Sequence, residues 1–236
     1  MWSGPRNIST ALMRSWEARG DTFVCDEPLY AHYLKETGMP HPAADEIIKA
    51  YETNWRTVVH GLVNDAPEGK PIYYQKHMTK HYLPGMDLDW TDRLTNCFLI
   101  REPRAMLISF AKVMKHFDLS ETGLPQQLEI FEHVKNATGR IPVVIDSRDV
   151  LEHPEPMLQK LCEAVGVDYT PRMLSWEAGR RATDGIWAPN WYANVEDSTG
   201  FAPYREQHEP LPGHLTGMAE ACTALYQLLY KHRITP

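Results

Sequence analysis

Residues 96–110 read NCFLIREPRAMLISF, and this stretch decides the fold prediction. An apolar run over residues 95–100 is predicted to be a strand, and it ends at Arg101. Pro103 then stands in the first turn of a predicted helix, where its missing N–H costs nothing. Ser109 lies two turns further along. Because parallel α/β sheets bind ligands at the carboxyl ends of their strands, Arg101 and Ser109 are candidate ligand-binding residues.

On both sides of this stretch, short β-rich runs alternate with longer helical patterns. The alternation predicts βαβ units, and hence a three-layer α/β fold in which helices flank a central, mostly parallel sheet. Further strands are predicted at 22–25, 72–75 and 142–145. Helices are predicted at 10–19, 29–36, 44–63, 105–115, 125–136, 156–165 and 217–232.

The chain has 236 residues, which is enough for one sizeable domain, and we expect residues 1–236 to form it. Within this domain, residues 179–212 are rich in Trp, Pro, Asn and Gly and have weak periodicity. Long irregular segments of compact domains are commonly functional. This segment is therefore predicted to be a lid or cap over a site.

The composition argues against several classes of protein. A net charge of −7 disfavours general binding to nucleic acid or to a membrane surface, because such binding needs broad basic patches. Neither a long apolar run nor a signal-peptide pattern occurs, so no membrane span and no secretion are expected. The four cysteines lie in apolar stretches, which is typical of reduced thiols in a cytoplasmic protein. His32, His77 and His81 lack the spacing of metal ligands, so no metal is expected.

The segment Ser3–Thr10, SGPRNIST, is a candidate anion-binding loop. A Gly-Pro turn is followed by Ser9 and Thr10, which suit the start of a helix. Backbone N–H groups at a helix start attract anions together with the helix dipole, and Arg6 adds a permanent positive charge. Only two residues precede the segment in this sequence, so a strand leading into it is either very short or begins in residues upstream of Met1. These residues alone leave an ordinary capped helix with a surface arginine as the alternative.

The loop differs from a Walker A motif, GxxxxGK[ST], because it lacks the second glycine and the lysine. An ATPase, a GTPase or a P-loop kinase is therefore disfavoured. The segment resembles instead the 5′-phosphosulfate loop of the sulfotransferase family, whose pattern is close to PKSGTT or PRSGTS. Pro5, Arg6, Ser9 and Thr10 match that pattern, Asn7 is a mild change, and Ile8 is a departure.

Residues 101–109 resemble a second motif of the same family, R-x-P-R-D-x-x-x-S, whose first Arg and Ser hold the 3′-phosphate of the donor. Arg101, Pro103, Arg104 and Ser109 are in register with it, and Ala105 replaces the Asp. The two motifs also follow the family's order along the chain. By this resemblance the chain is identified as a sulfotransferase of P-loop-type fold that depends on 3′-phosphoadenylyl sulfate (PAPS).

The resemblance implies PAPS as the donor, adenosine 3′,5′-bisphosphate (PAP) as the product, and no metal. It runs from residue 2 to about residue 166, and the family's C-terminal RKGxxGDW loop is not recognisable. Residues 185–191 and 198–201 occupy the comparable region. The residues implied to bind the donor are Pro5, Arg6, Asn7, Ile8, Ser9, Thr10, Arg101 and Ser109.

The resemblance also implies three catalytic residues. Arg6 matches the family's donor-side Lys or Arg and is expected to stabilise the leaving group, since arginine stays protonated. His77 looks like the strand-end K-x-H histidine that is the base in cytosolic members, and an ordinary imidazole pKa suits that task. Glu27, which follows the predicted strand 22–25, is the alternative base, as in other branches of the family. His77 is preferred at this point.

The predicted function is therefore sulfuryl transfer from PAPS to a hydroxyl or an amine of a small molecule or sugar. The alternatives are a P-loop kinase or related phosphotransferase, and a catalytically inert relative that binds a nucleotide without turnover. Five aromatic residues are candidates to line the acceptor pocket: Tyr30, Tyr33, Trp187, Trp191 and Tyr192.

Overall fold

A computed structural model of the chain describes residues 1–65, 67 and 69–236. Its centre is a sheet of five strands, all parallel, in the order β2-β3-β1-β4-β5. The predicted α/β class with a mostly parallel central sheet is confirmed. The strands are β1 (Trp2–Ser3), β2 (Thr22–Asp26), β3 (Ile72–Met78), β4 (Cys97–Ile100) and β5 (Val143–Asp146).

Helices pack on both faces of the sheet. In chain order they are α1 (Ser9–Ala18), α2 (Tyr30–Thr37), α3 (Ala44–Ala50), α4 (Trp55–Asn64), α5 (Pro103–Ala111), α6 (Leu124–Thr138), α7 (Ser147–Glu152), α8 (Pro154–Val165), α9 (Ala188–Trp191), α10 (Ala193–Glu196) and α11 (Thr216–Tyr230).

Two buried clusters separate these layers. On one face of the sheet, α1 and α8 contribute Leu12, Met13, Leu158 and Leu161 to a core that β4 and β5 complete. On the other face, α4, α6 and α11 pack their apolar sides against Phe98 and Val144. Over the part of the chain that the structure describes, no helix has the length and apolar character needed to cross a membrane.

The central strand β1 contains two residues. Trp2 pairs with His77 of β3 on one side and with Phe98 of β4 on the other. The Trp2 side chain is 1% exposed, its Nε1 donates to Asn96 Oδ1 at 2.8 Å, and its ring stacks on His77 with centroids 4.3 Å apart. Burial of this one large side chain anchors a strand that has few backbone hydrogen bonds.

Strand β3 is longer than predicted, since it continues past Gln75 to Met78. Parallel pairing with β2 extends to Asp26 and Lys76, and pairing with β1 follows at His77. Lys76 and His77 are therefore successive residues of one strand, and their side chains point to opposite faces of the sheet. Only one of these two side chains can therefore line a ligand site on a given face of the sheet.

The single helix predicted over 44–63 is wrong, because the structure contains α3 and α4 in its place. Tyr51 has an extended backbone, which ends α3. Asn54 then caps α4 by accepting a hydrogen bond from the Arg56 N–H at 3.0 Å. Helix α5 begins at Pro103, the proline predicted for its first turn and two residues before the predicted range 105–115, and the Glu102 carboxylate caps its first N–H groups.

The segment 179–212 contains the short helices α9 and α10, and it is attached to the core by ionic contacts. Arg14 of α1 donates to Asp184 at 2.6 Å, and both side chains are almost fully buried. Thr183 donates to Glu17 at 2.6 Å, one turn further along α1. An isolated antiparallel bridge joins Ser175 to Gly200. Helix α1, which begins at the candidate anion loop, therefore also positions this segment.

We expect Asp184→Asn to lower the free energy of unfolding by about 3 kcal/mol, because the buried Arg14 guanidinium would lose the nearer of its two carboxylate partners and keep only Glu17 at 3.7 Å. Urea denaturation followed by tryptophan fluorescence measures the change. Glu132→Gln is the matched control, since it removes an exposed carboxylate that pairs with Lys135, and a small change is expected. Equally small losses in the two variants would contradict this account of the Arg14–Asp184 pair.

Candidate active site

The carboxyl ends of the strands open on a cavity of about 420 Å³. Its walls come from the loop after β1, the residues after β2, the end of β3, and the start and far end of α5. Residues of the segment 179–212 complete the lining. This is the edge at which parallel sheets bind ligands, and the short central strand puts the Ser3–Thr10 loop in the middle of it.

The loop after β1 presents a helix N-terminus to the cavity. The first backbone hydrogen bond of α1 runs from the Leu12 N–H to the Ile8 carbonyl at 2.9 Å. The N–H groups of Ser9, Thr10 and Ala11 precede that bond, and all three residues line the cavity. Such N–H groups bind anions, aided by the helix dipole. Ile8 packs against the apolar core below α1, which explains a bulky residue at this point of the loop.

Two residues give the loop its shape. Asn7 Nδ2 donates to the Leu99 carbonyl of β4 at 3.1 Å, and Asn7 Oδ1 accepts from the Ile8 N–H at 2.9 Å. Gly4 passes so close to the Thr122 carbonyl oxygen that a Cβ at this position would lie 2.7 Å from it. Only glycine fits that approach, so the turn before Arg6 depends on Gly4.

Arg6 and Arg101 place two guanidiniums beside this helix start. Arg6 Nε donates to Ser109 Oγ at 3.1 Å, and Arg101 donates to the Arg6 carbonyl oxygen. Burial lowers the pKa of both arginines, and the charge of Arg6 lowers that of Arg101 further. Neither forms a salt bridge with any residue in the described ranges 1–65, 67 and 69–236. Two adjacent half-buried cations without a carboxylate partner among the described residues are chemically suited to an anion.

The opposite end of the cavity contains a buried ionic network around Lys76. Its ammonium donates to Asp26 at 2.8 Å, to Glu27 at 2.5 Å and to the Tyr192 hydroxyl at 2.8 Å. Burial lowers the pKa of Lys76, but Asp26 and Glu27 outweigh it, and the pKa lies well above its ordinary value. Burial raises the pKa of Glu27, and the positive charge of Lys76 opposes that rise. Glu27 also has a positive φ of 41°, an outlier of the kind that collects at functional sites.

Beyond Glu27 lies a second group of buried polar side chains. His81 stacks on Tyr30 with centroids 4.7 Å apart and an interplanar angle of 7°. Tyr30 bonds His41 Nδ1 at 2.7 Å, and Lys80 donates to Glu121 at 3.1 Å. Burial lowers the pKa of His81 well below its ordinary value, with help from the Lys80 charge, so its imidazole is neutral at pH 7. Burial likewise lowers the pKa of His41 to about 4.

The structure does not bring His77 to the cavity. Its side chain stacks on Trp2 on the other face of β3, and its Nε2 bonds Gln75 Oε1 at 3.1 Å. Burial lowers the pKa of His77 well below the ordinary value. The donor-binding residues suggested by the sequence, together with Glu27, do lie around one cavity: Pro5, Arg6, Asn7, Ile8, Ser9, Thr10, Arg101 and Ser109.

Comparison with known proteins now identifies the family. A family model described as a sulfotransferase domain matches residues 1–227. The chain belongs to the sulfotransferase domain family. Its members are transferases, so the chain is classed as an enzyme of that kind.

Two solved sulfotransferase domains share the fold of this chain. One is from the Synechococcus PCC 7002 olefin synthase, with a TM-score of 0.59 and 15% identity, and the match covers 94% of this chain and 92% of that one. The other is from the curacin biosynthetic pathway, with a TM-score of 0.50 and 15% identity, covering 100% and 97%. At this identity the likeness shows the fold alone.

Two curated proteins of Arabidopsis thaliana match this sulfotransferase chain over 231 residues. They are the branched-chain-amino-acid aminotransferase-like proteins 1 and 2, which are 37% and 35% identical to it. Each match covers 98% of this chain but 41% of the relative. The sulfotransferase chain therefore spans about two fifths of the length of the curated relatives it matches.

Four basic side chains that line the cavity were not among the site residues selected from the sequence: His41, Lys76, Lys80 and His81. The register of β3 was the available signal for Lys76, because a strand that includes residues 76–78 turns Lys76 and Met78 to one face and His77 to the other. Lys80 and His81 follow in a tight turn after β3. His41 lies between α2 and α3, and no local pattern marks it.

Inorganic pyrophosphate is expected to raise the Tm of the protein, because an anion that binds the folded state beside Arg6 and Arg101 stabilises it by mass action. The shift, measured by differential scanning fluorimetry, should be lost in Arg6→Gln and in Arg101→Gln. Arg93→Gln is the control, since Arg93 is exposed and bonds Asn64 away from the cavity. An undiminished shift in both cavity variants would contradict the anion site.

Proposed function

We propose that this chain transfers a sulfuryl group from PAPS to a hydroxyl or an amine of a small molecule. The observation that carries the proposal is the pair of guanidiniums, Arg6 and Arg101, set beside a helix N-terminus without carboxylate partners among the described residues. A donor with phosphate groups at both ends of its ribose supplies the missing negative charge. The family assignment supports the same reading.

The donor would extend across the loop and the start of α5. In this proposal the N–H groups of Ser9, Thr10 and Ala11 bind the 5′-phosphosulfate, where the dipole of α1 also favours negative charge. Arg101 and Ser109 bind the 3′-phosphate. The bond between Arg6 and Ser109 links the two phosphate sites, so one bound nucleotide engages both.

Transfer is then an in-line displacement governed by position and charge. The acceptor atom attacks sulfur, the bond between sulfur and the bridging phosphate oxygen breaks, and its electron pair remains on that oxygen as PAP leaves. We assign Arg6 the stabilisation of this developing charge, since its guanidinium lies in the loop that would hold the 5′-phosphate. The proton of the acceptor passes to a base at the other end of the cavity.

We assign Glu27 as that base. It lines the cavity, whereas His77 lies on the far face of β3 against Trp2. Burial raises the pKa of Glu27, which makes its ionised carboxylate a stronger base. Lys76 bonds one oxygen of Glu27 and keeps the carboxylate oriented. His77, the base preferred from the sequence, is not part of this proposal.

We further propose that residues 1–236 form one domain in which residues 179–212 close the cavity. Trp191, Tyr192 and Val195 of this segment line it, and Tyr192 is bonded to Asp26 and Lys76 below. The segment thus excludes water from the reacting groups. Three of the four free thiols are buried, which suits a cytoplasmic enzyme.

Calorimetry with PAP tests the donor assignment. The wild-type protein is expected to bind PAP, and both Arg101→Ala and Ser109→Ala should weaken binding, the arginine variant by about tenfold or more, since each removes a charge-assisted contact. Arg93→Ala is the control on the exposed surface. Absence of PAP binding to folded wild-type protein, or tighter binding of ATP than of PAP, would refute the proposal.

The pH profile of sulfuryl transfer tests the base. A carboxylate base must be ionised, so the rate should rise with pH through the Glu27 pKa, which lies above its ordinary value of 4.5. Glu27→Gln should abolish this rise and lower the rate at least a hundredfold. His77→Phe keeps a ring against Trp2 and should retain most of the rate. The reverse pattern in these two variants would restore His77 as the base.

A further inference from the structure

Glu27 and His81 leave a gap at the acceptor end of the cavity. Glu27 Oε2 and His81 Nε2 are 3.9 Å apart, which is too long for a direct hydrogen bond. Both residues line the cavity. The other carboxylate oxygen, Oε1, is already bonded by Lys76 at 2.5 Å, so Oε2 is the oxygen left for a ligand. An atom placed between Oε2 and Nε2 can lie at hydrogen-bond distance from both.

The imidazole of His81 is fixed in place and presents a donor to this gap. It lies parallel to Tyr30, and the Tyr33 ring is 4.8 Å away on a tilted plane. Its Nδ1 is buried and has no hydrogen-bond partner among the described residues. A buried N–H without a partner is rarer than a buried acceptor without one, so the proton of the neutral ring belongs on Nε2. His81 Nε2–H can therefore donate to an atom placed in the gap, and Glu27 Oε2 can accept a hydrogen bond from the same group.

One donor and one acceptor at this spacing select a hydroxyl group. A hydroxyl donates its proton to Glu27 Oε2 and accepts from His81 Nε2–H with one lone pair, which leaves its second lone pair to attack sulfur. An uncharged amine has a single lone pair and cannot use it for both purposes. An ammonium has none. The geometry thus favours a hydroxyl over an amine, and these are the two acceptor classes that the proposed function leaves open.

The charges around the gap also disfavour an anionic acceptor. Three carboxylates, those of Asp26, Glu27 and Glu121, face two ammonium groups, those of Lys76 and Lys80, and each lysine is already paired. The histidines at this end are neutral. The remaining walls are largely aromatic, and no unpaired cation among the described lining residues of this end is left for a carboxylate or phosphate.

We infer that the acceptor is an uncharged alcohol, aliphatic or aromatic, whose hydroxyl is held between Glu27 Oε2 and His81 Nε2. This inference rests on the proposed function. In the reaction the oxygen–sulfur bond forms as the bond from sulfur to the phosphate oxygen breaks, and the hydroxyl proton moves to Glu27. His81 keeps its proton throughout and orients the attacking oxygen.

Three matched acceptors test the inference: 4-methylphenol, 4-methylaniline and 4-hydroxybenzoate, each offered to the full chain with PAPS. The phenol should be sulfated with a kcat/KM at least tenfold above those of the amine and the acid. Calorimetric PAP binding in the same preparation tests the donor site separately. If PAP binds but the amine or the acid is used as well as the phenol, or no phenol sulfate forms, the acceptor assignment is refuted while the donor site stands.

Variants at His81 test its role as the donor. His81→Phe keeps a ring on Tyr30 and should lower kcat/KM for the phenol about tenfold without changing the Kd of PAP. It should also reduce the preference for phenol over amine, which a merely structural role would not do. His81→Gln, which can offer an amide N–H, should recover part of both. His32→Phe alters a buried histidine bonded to the Thr53 carbonyl and is the matched control.

An unchanged preference for phenol over amine in His81→Phe would overturn the role of His81. If His81→Phe does not fold, His81→Gln decides alone: it should keep the preference for phenol and the Kd of PAP. Complete loss of phenol sulfation in folded His81→Gln, with PAP still bound, would show that the ring itself is needed and would likewise overturn the inference.

Discussion

The pairing of β1 between β3 and β4 is the constraint on which the site depends. This strand has two residues, yet it is central in the sheet and leads directly into the loop that carries Arg6. The buried indole of Trp2, bonded to Asn96 and stacked on His77, supplies the stability that the length of the strand does not. A slip of one residue would turn Trp2 to the opposite face of the sheet and displace the loop.

The cavity beside this strand differs in charge between its two ends. The end beside α1 has guanidiniums without carboxylate partners among the described residues, and it suits a ligand that brings its own negative charge. At the other end, Lys76 and Lys80 are already neutralised by buried carboxylates. A highly charged donor would therefore bind at the end beside α1, and an uncharged acceptor would bind at the other end. The negative charge released in transfer would form beside Arg6.

The buried network around Lys76 is costly to desolvate, so its retention calls for a reason other than stability. It joins the ends of β2 and β3 to the segment 179–212 through the Tyr192 hydroxyl, which bonds both Asp26 and Lys76. It also bonds Oε1 of Glu27 and leaves Oε2 free of Lys76. The strained backbone of Glu27 agrees with a geometry maintained for chemistry.

The sequence by itself determined the α/β class and the two segments that carry Arg6 and Arg101, because apolar runs and helix-start residues are local signals. Only the tertiary structure decided that His77 does not reach the cavity and that His41 and His81 do. Pairing of β3 with β2 and β1 extends the strand to Met78, and the alternation of side chains then directs Lys76 inward and His77 away. Glu27 and His81, 54 positions apart in the numbering, meet because their strands end side by side. Such proximity depends on strand order and register, which are properties of the whole sheet and are not encoded in any short stretch of the chain.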